Sequence, residues 1–118
     1  MTRAATAIEP WQVWLANLGT PTGSEPGGTR PTIIVGSEDH CRFPIPMALV
    51  VPLTSRDHGL PHHIAISSTE SGLSRPSWAR TDDIRAISTT RFTRSFPLGR
   101  LSDQEVEQVR KWVHRMLA

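Results

Sequence analysis

The chain lacks features on which several classes of protein depend. It has one cysteine in 118 residues, Cys41, which excludes an intramolecular disulfide framework. No window approaches the roughly 18 apolar residues that a membrane-spanning helix requires. Residues 1–7 carry a charge with no apolar segment after it, unlike a secretory signal. We therefore expect a single cytoplasmic domain over residues 1–118 with no membrane contact, in which residues 1–9 form a flexible tail.

Lysine is nearly absent as well. Of the 13 cationic residues, all but Lys111 are arginine, and the formal net charge is only +2. The planar guanidinium group suits two-point contacts with phosphate. A GC-rich genome produces the same arginine bias, so the composition alone does not identify a nucleic-acid partner.

Short apolar runs dominate the chain before its C-terminus. They predict strands at residues 11–18, 32–35, 47–55 and 62–67, and a further strand or strand-to-turn segment at 78–87. Five or more short strands separated by loops are typical of a small barrel or sandwich. We expect the core to include Trp11, Trp14 and Trp78.

The C-terminus carries a helical pattern. Ser102 and Glu105 form a capping box, and Leu101 can pack on Val106. A helix is therefore predicted from about residue 103 to residue 117, with Glu105 among its polar positions. The predicted apolar face consists of Val106, Val109, Val113, Met116 and Leu117.

Polar residues mark the ends of the predicted strands. A loop rich in glycine and proline, residues 19–29, leads to Arg30 at the start of a strand, which is a common position for a binding residue. Thr54 and Ser55 end the next strand. Arg80 and Asp82 are two residues apart and would share one face of a strand. The alternative to a functional role for Arg30 is an ordinary solvated charge beside a strand start. The alternative for Arg80 and Asp82 is a plain surface ion pair.

Four blocks of sequence, taken in order, resemble the MazF/PemK/Kid family of bacterial toxins. They are Gly23-Ser24-Glu25 through Arg30-Pro31, Val51-Pro52-Leu53-Thr54-Ser55, Asp82-Asp83-Ile84-Arg85-Ala86-Ile87, and Leu98-Gly99-Arg100-Leu101-Ser102 before the terminal helix. The resemblance extends from about residue 11 to the end of the chain. It implies an α+β, mainly β, SH3-like barrel of the CcdB/MazF/PemK type with a C-terminal α-helix.

The resemblance also implies an activity and its partners. Members of the family are homodimers that cleave single-stranded RNA at selected sequences, need no metal or cofactor, and are neutralised by a cognate antitoxin. Without a metal, the ribose 2′-OH is the nucleophile, so the products expected are a 2′,3′-cyclic phosphate and a 5′-OH end.

Site residues follow from the same resemblance. Arg30 and Thr54 take the commonest active-site positions of the family, and Arg80 and Asp82 take the acid and base positions of the Kid branch. The predicted substrate-binding residues are Ser24, Glu25, Ser55 and Arg85.

Physical chemistry orders these roles. Arginine is a poor proton donor, and aspartate is a weak base at neutral pH unless burial or a like charge changes it. We therefore prefer Arg30 as a clamp on the phosphate, Thr54 as a hydrogen-bond donor to a phosphate oxygen, and Arg80 as a second clamp.

The sequence departs from the family pattern at two places, of which the first motivates a catalytically silent alternative. Pro10-Trp11-Gln12 stands where the family usually has Arg-Gly-Asp or Arg-Gly-Glu, and Asp83 stands where glutamine is usual. The first alternative is a catalytically silent, CcdB-like protein that binds a protein or nucleic acid. The second is a generic SH3-like interaction module.

Three histidines raise the question of a metal. His58 and His62 have the i, i+4 spacing of helical ligands, and His63 follows directly. Gly59 and Pro61 lie between them, so no helix can place both on one face, and we predict no metal site.

Overall fold

The computed structural model describes residues 7–21, 23 and 27–118. Within these residues the strands are β1 (Gln12–Asn17), β2 (Thr29–Ile34), β3 (Met47–Thr54), β4 (His63–Ile66), β5 (Ser77–Arg80), β6 (Arg85–Ser88) and β7 (Gly99–Arg100). The helices are α1 (Glu38–Arg42) and α2 (Asp103–Met116), with 3₁₀ helices at Thr69–Ser71 and Thr89–Arg91. None of the helices among the described residues is long and apolar enough to cross a membrane.

Strand β3 is the centre of one curled antiparallel sheet. The strand order is β4-β5-β3-β2-β1-β7, and β6 also pairs with β3. The first half of β3 pairs with β6 and its last two residues pair with β5, so the sheet bends along this strand. The result is a half-closed barrel with a C-terminal helix, which confirms the predicted fold class.

Both faces of the central strands are buried. Side chains alternate across a strand, so neighbouring residues such as Val50 and Val51 enter opposite hydrophobic cores. One core includes Val109 and Val113 of α2, and the other is built around Trp14 and Ile34. This double burial explains why β3 is apolar without a break.

Helix α2 begins at the predicted capping box, and Val109 and Val113 of the predicted apolar face are buried. Ser102 accepts a hydrogen bond from the backbone N–H of Glu105, and the Glu105 side chain accepts one from the Ser102 N–H. Glu105 itself is buried, and its carboxylate also accepts hydrogen bonds from the backbone N–H groups of Ser67 and Ser68. The prediction that Glu105 lies among the polar positions is therefore wrong, because this carboxylate joins α2 to the end of β4.

The ends of the predicted apolar face are exposed. Met116 is 38% exposed and Leu117 is 59% exposed, so only the middle of α2 contributes to the core of this single chain.

Other predicted boundaries also change. Ile8 is buried in the second core, so the predicted flexible tail over residues 1–9 is wrong from Ile8 onward. Helix α1 lies between the predicted strands at 32–35 and 47–55, where no element was predicted. The segment predicted at 78–87 is two strands, β5 and β6, with a turn between them. Of the three tryptophans predicted for the core, Trp14 is 1% exposed, whereas Trp11 and Trp78 are half-buried.

Candidate functional site

Arg30 is the second residue of β2, at the edge of the loop that precedes the strand. The antiparallel pairing of β2 with β3 ends with Thr32 beside Pro52, two residues before Thr54 along β3 and two residues after Arg30 along β2. The Arg30 guanidinium donates from Nε to the Gly27 carbonyl at 2.9 Å and from Nη1 to the Leu53 carbonyl at 3.3 Å. These contacts hold the charge beside the end of β3.

Thr54 is the last residue of β3 and is 8% exposed. Its Oγ1 accepts a hydrogen bond from the Arg56 backbone N–H at 3.2 Å. A hydroxyl group has one proton to donate besides its acceptor positions, so Thr54 can still donate to a ligand oxygen. The predicted pair of Arg30 and Thr54 is therefore brought together by strand pairing.

A cleft of about 580 Å³ opens at this junction. Its polar lining includes the predicted residues Arg30, Thr54 and Ser55, together with Arg75 and Arg94, which the sequence analysis missed. Its apolar lining consists of Leu15, Pro31, Leu53, Leu73 and Leu98. Arg75 and Arg94 lie outside every block that carried the family resemblance, and only the tertiary fold brings them to the cleft.

Positive charge accumulates around Arg30. Partial burial lowers the pKa of the Arg30 guanidinium, the positive charges of Arg80 and Arg85 lower it further, and Asp83 acts in the opposite direction. Arginine nevertheless stays protonated at neutral pH. Because these cations repel one another, an anion placed among them lowers the electrostatic energy of the site.

Arg85 forms an ion pair with Asp83. Its Nε and Nη2 contact the two carboxylate oxygens of Asp83 at 3.1 and 2.8 Å. This fork-like ion pair fixes the direction of Arg85, and Asp83 occupies the position where the family usually has glutamine. One of the predicted substrate-binding cations is thus partly neutralised in this chain.

Arg80 and Asp82 do not share a strand face. Strand β5 ends at Arg80, and Asp82 lies in the turn that follows, where the period-two argument does not apply. The Asp82 side chain is 49% exposed, and its Oδ1 lies 3.3 Å from Nε2 of His62. The prediction that Arg80 and Asp82 share a strand face is therefore wrong. Arg80 nevertheless lies close enough to Arg30 for its positive charge to lower the pKa of the Arg30 guanidinium.

The two remaining predicted residues, Ser24 and Glu25, lie outside the described residues.

The fold and the cleft define a class of protein. A small half-closed β-barrel presents three arginines and a buried threonine in one cleft, which is an arrangement suited to a phosphate-bearing polymer. Comparison with known proteins gives the family. A family model described as PemK-like, MazF-like toxin of type II toxin-antitoxin system matches residues 9–117. The chain belongs to this family.

Individual relatives agree with this assignment. The chain is 31% identical to Endoribonuclease MazF9 of Mycobacterium tuberculosis, over 83% of this chain and 86% of that protein. It is also 31% identical to Endoribonuclease EndoA of Bacillus subtilis, over 86% of this chain and 87% of that protein.

Solved structures support the fold. The crystal structure of MazF from Deinococcus radiodurans matches with a TM-score of 0.77 and 21% identity, over 94% of this chain and 96% of that chain. A mycobacterial endoribonuclease in complex with its cognate antitoxin matches with a TM-score of 0.72 and 19% identity, over 94% and 93% of the two chains.

Proposed function

We propose that this chain is a sequence-selective endoribonuclease toxin that cleaves single-stranded RNA in the cytoplasm and is silenced by a cognate antitoxin. The observation that carries the proposal is that Arg30 and Thr54 line one arginine-rich cleft, where Arg30 donates a hydrogen bond to the carbonyl of Leu53, the residue before Thr54. Relatives that cover most of the chain at 31% identity are named endoribonucleases, and one structural neighbour is bound to its antitoxin.

The proposed chemistry uses the ribose 2′-OH as nucleophile. The 2′-OH gives its proton to water as its oxygen attacks the adjacent phosphorus, which gives a phosphorane with added negative charge. The bond to the 5′-oxygen then breaks, and this oxygen takes a proton from water, which leaves a 2′,3′-cyclic phosphate and a 5′-OH end. Arg30 would bind the non-bridging oxygens, with Arg80 as a second clamp, and Thr54 would donate to one of them. Ser55, Arg75 and Arg94 would hold the flanking RNA.

Asp82 lacks the burial that a base role requires, because its side chain is half exposed and lies against His62. We therefore propose the electrostatic clamp, rather than Asp82, as the main source of rate acceleration. Cations around the phosphate also favour the alkoxide form of the attacking 2′-oxygen, so they assist the nucleophile as well as the phosphorane.

A homodimer is part of the proposal. Phe43, Ile45 and Phe96 are 51%, 44% and 59% exposed, and the end of α2 leaves two more apolar side chains in solvent. A contiguous exposed apolar patch marks an interface, whereas single exposed apolar side chains are ordinary, so the mass in solution decides. Light scattering at micromolar concentration should give about twice the chain mass of 13.1 kDa. A mass equal to one chain would contradict the dimer.

The activity is tested with untagged protein and a long, unstructured RNA in excess chelator. We expect fragments with 2′,3′-cyclic phosphate ends and with 5′-OH ends that polynucleotide kinase labels directly. Arg30→Ala should lose roughly 10²-fold in rate, because one charged clamp on the transition state is removed. The cleavage rate of Arg30→Lys should lie between those of the wild type and Arg30→Ala, since lysine keeps the charge but not the planar fork.

Arg42→Ala is the matched control, because Arg42 is an exposed arginine on α1 and does not line the cleft. It should cleave at the wild-type rate. Arg30→Ala also loses two hydrogen bonds to backbone carbonyls, worth about 1 kcal/mol each, so its folded fraction must be measured by circular dichroism. Equal loss in both variants would mean that cleavage depends on total charge and not on this site.

A catalytically silent binder remains the second candidate, and it is favoured by the Pro10-Trp11-Gln12 segment that replaces the family's usual start. The same experiment separates the two. RNA that stays intact but shifts in a gel with the wild type, and shifts less with Arg30→Ala, would indicate binding without cleavage.

A further inference from the structure

Two histidines that the resemblance did not use meet Asp82, the first residue of its third block, at the start of β4. One ligand atom from each of His62, His63 and Asp82 lies within 4.8 Å of the others. The His62 and His63 ring centres are 4.7 Å apart, and the Asp82 carboxylate lies 3.3 Å from the His62 Nε2. We propose that these three side chains bind a divalent transition-metal ion of the Zn²⁺ type.

The backbone brings the three residues together without any helix. His63 pairs with Arg80 across β4 and β5, so the turn after Arg80 runs beside the residues that precede His63. The buried Thr81 connects the two segments, because its hydroxyl donates a hydrogen bond to the His62 carbonyl at 2.6 Å. The proposed site therefore does not depend on helical i, i+4 spacing, because its third side chain, Asp82, comes from the turn after β5.

One atom in the cluster needs a partner. The Nδ1 of His63 is buried and makes no hydrogen bond within the part of the chain that the structure describes. An unsatisfied buried polar atom is unfavourable, and a metal ion coordinated at this nitrogen would satisfy it.

The ligand types select the class of metal. Imidazole nitrogens with one carboxylate oxygen suit zinc and its neighbours in the first transition row, whereas magnesium and calcium prefer oxygen ligands throughout. The fourth position of a tetrahedral site is open to water or to His58, whose ring centre lies 5.4 Å from that of His63. A bound ion would tie the start of β4 to the turn between β5 and β6.

The test is metal binding and not RNA cleavage, so it stands or fails separately from the proposed function. Untagged full-length protein, stripped with chelator, is titrated with Zn²⁺ by calorimetry. Binding of Co²⁺ is followed by its visible absorption, which is strong in a tetrahedral site. We expect one ion per chain, with no comparable binding of Mg²⁺. His62→Gln and His63→Gln should each weaken Zn²⁺ binding by about tenfold or more.

His114→Gln is the matched control, because this exposed histidine lies near the end of α2, away from the cluster. It should bind Zn²⁺ as the wild type does. If a cluster variant does not fold, histidine NMR of the wild type still decides, since Zn²⁺ should shift the ring signals of His62 and His63 and leave that of His114 in place. Absence of stoichiometric binding, or binding that is unchanged in the folded cluster variants, would overturn the proposal.

Discussion

Replacing Trp11 by glycine should destabilise the protein less than replacing it by alanine. Trp11 has a φ of +70°, in the left-handed region that favours glycine, and it takes the place where the family usually has glycine. Its backbone is held on both sides, because its N–H donates to Ile34 at 2.7 Å and its carbonyl accepts from Leu101 at 3.0 Å. The strand pairing therefore imposes this conformation whatever the side chain.

The magnitude follows from two opposing terms. A residue with a Cβ pays about 1–2 kcal/mol for left-handed backbone. Glycine pays about 0.5–1 kcal/mol more conformational entropy than alanine on folding. The Trp11→Gly variant should therefore be more stable than Trp11→Ala by about 0.5–1 kcal/mol. This order is the reverse of what holds at an ordinary strand position.

Both variants should be less stable than the wild type. The half-buried indole packs against the first core, and the Arg110 guanidinium lies 5.4 Å from its ring centre. Loss of this packing and of the cation–π contact should cost about 2–3 kcal/mol, which exceeds the strain that glycine relieves.

The assay is urea unfolding followed by circular dichroism, with all three proteins at one concentration because association would add to the apparent stability. Fluorescence is a poor probe here, since the substitution removes a tryptophan. An alanine variant as stable as the glycine variant would refute the strain at Trp11.

Other predictions concern stability and the rim of the cleft. Glu105→Gln should destabilise the fold by about 1–3 kcal/mol at neutral pH in urea unfolding, because a buried carboxylate loses charge-assisted hydrogen bonds. Burial raises the pKa of the Glu105 carboxyl, but hydrogen bonds from Ser68, Ser102 and Ser67 outweigh it and lower the pKa below its ordinary 4.5. The wild type's advantage over Glu105→Gln should thus be complete well above pH 4.5 and disappear as the pH falls through the folded pKa, whereas a constant difference down to acid pH would contradict this. Gly99→Ala should lower the melting temperature markedly, because a Cβ at this position would collide with the backbone of the 3₁₀ helix at Glu70 and Ser71. An unchanged melting temperature would contradict this close approach. Thr54→Val should keep the fold and lose RNA cleavage, while Thr54→Ser should retain much of it, and an active valine variant would exclude the hydroxyl as a donor.

The sequence predicted those elements whose signal is local. The strands β1 to β4 are short apolar runs, and the start of α2 carries its cap within four residues, so neither depends on distant contacts. Helix α1 was missed because its five residues bury no side chain and show no apolar period, although Ser37 does cap it. Glu105 was misplaced because its carboxylate is satisfied by backbone N–H groups 37 and 38 residues away.

In the candidate site, too, some residues could be predicted from the sequence and others could not. Arg30 and Thr54 could be predicted because each lies at the end of a recognisable strand, and adjacent antiparallel strands bring such ends together. Arg75 and Arg94 come from irregular segments, and no spacing in the chain relates them to Arg30. The His62 cluster depends on the pairing of β4 with β5, which periodicity does not reveal.

The role of Asp82 separates two accounts of the reaction. If Asp82 were the general base, Asp82→Asn would cost about 10²-fold or more in cleavage, and the wild-type rate would rise with pH as the carboxylate forms. The structure favours the other account, in which Arg30 and the cations near it stabilise both the attacking oxygen and the phosphorane. Asp82→Asn, measured in excess chelator to keep metal binding out of the comparison, should then lose much less than Arg30→Ala. The RNA affinity of the Asn variant should hold or rise, because one negative charge has been removed from a protein that binds a polyanion. If a folded Asp82→Asn protein still binds RNA but loses cleavage by 10²-fold or more, Asp82 is the general base and the electrostatic account is wrong.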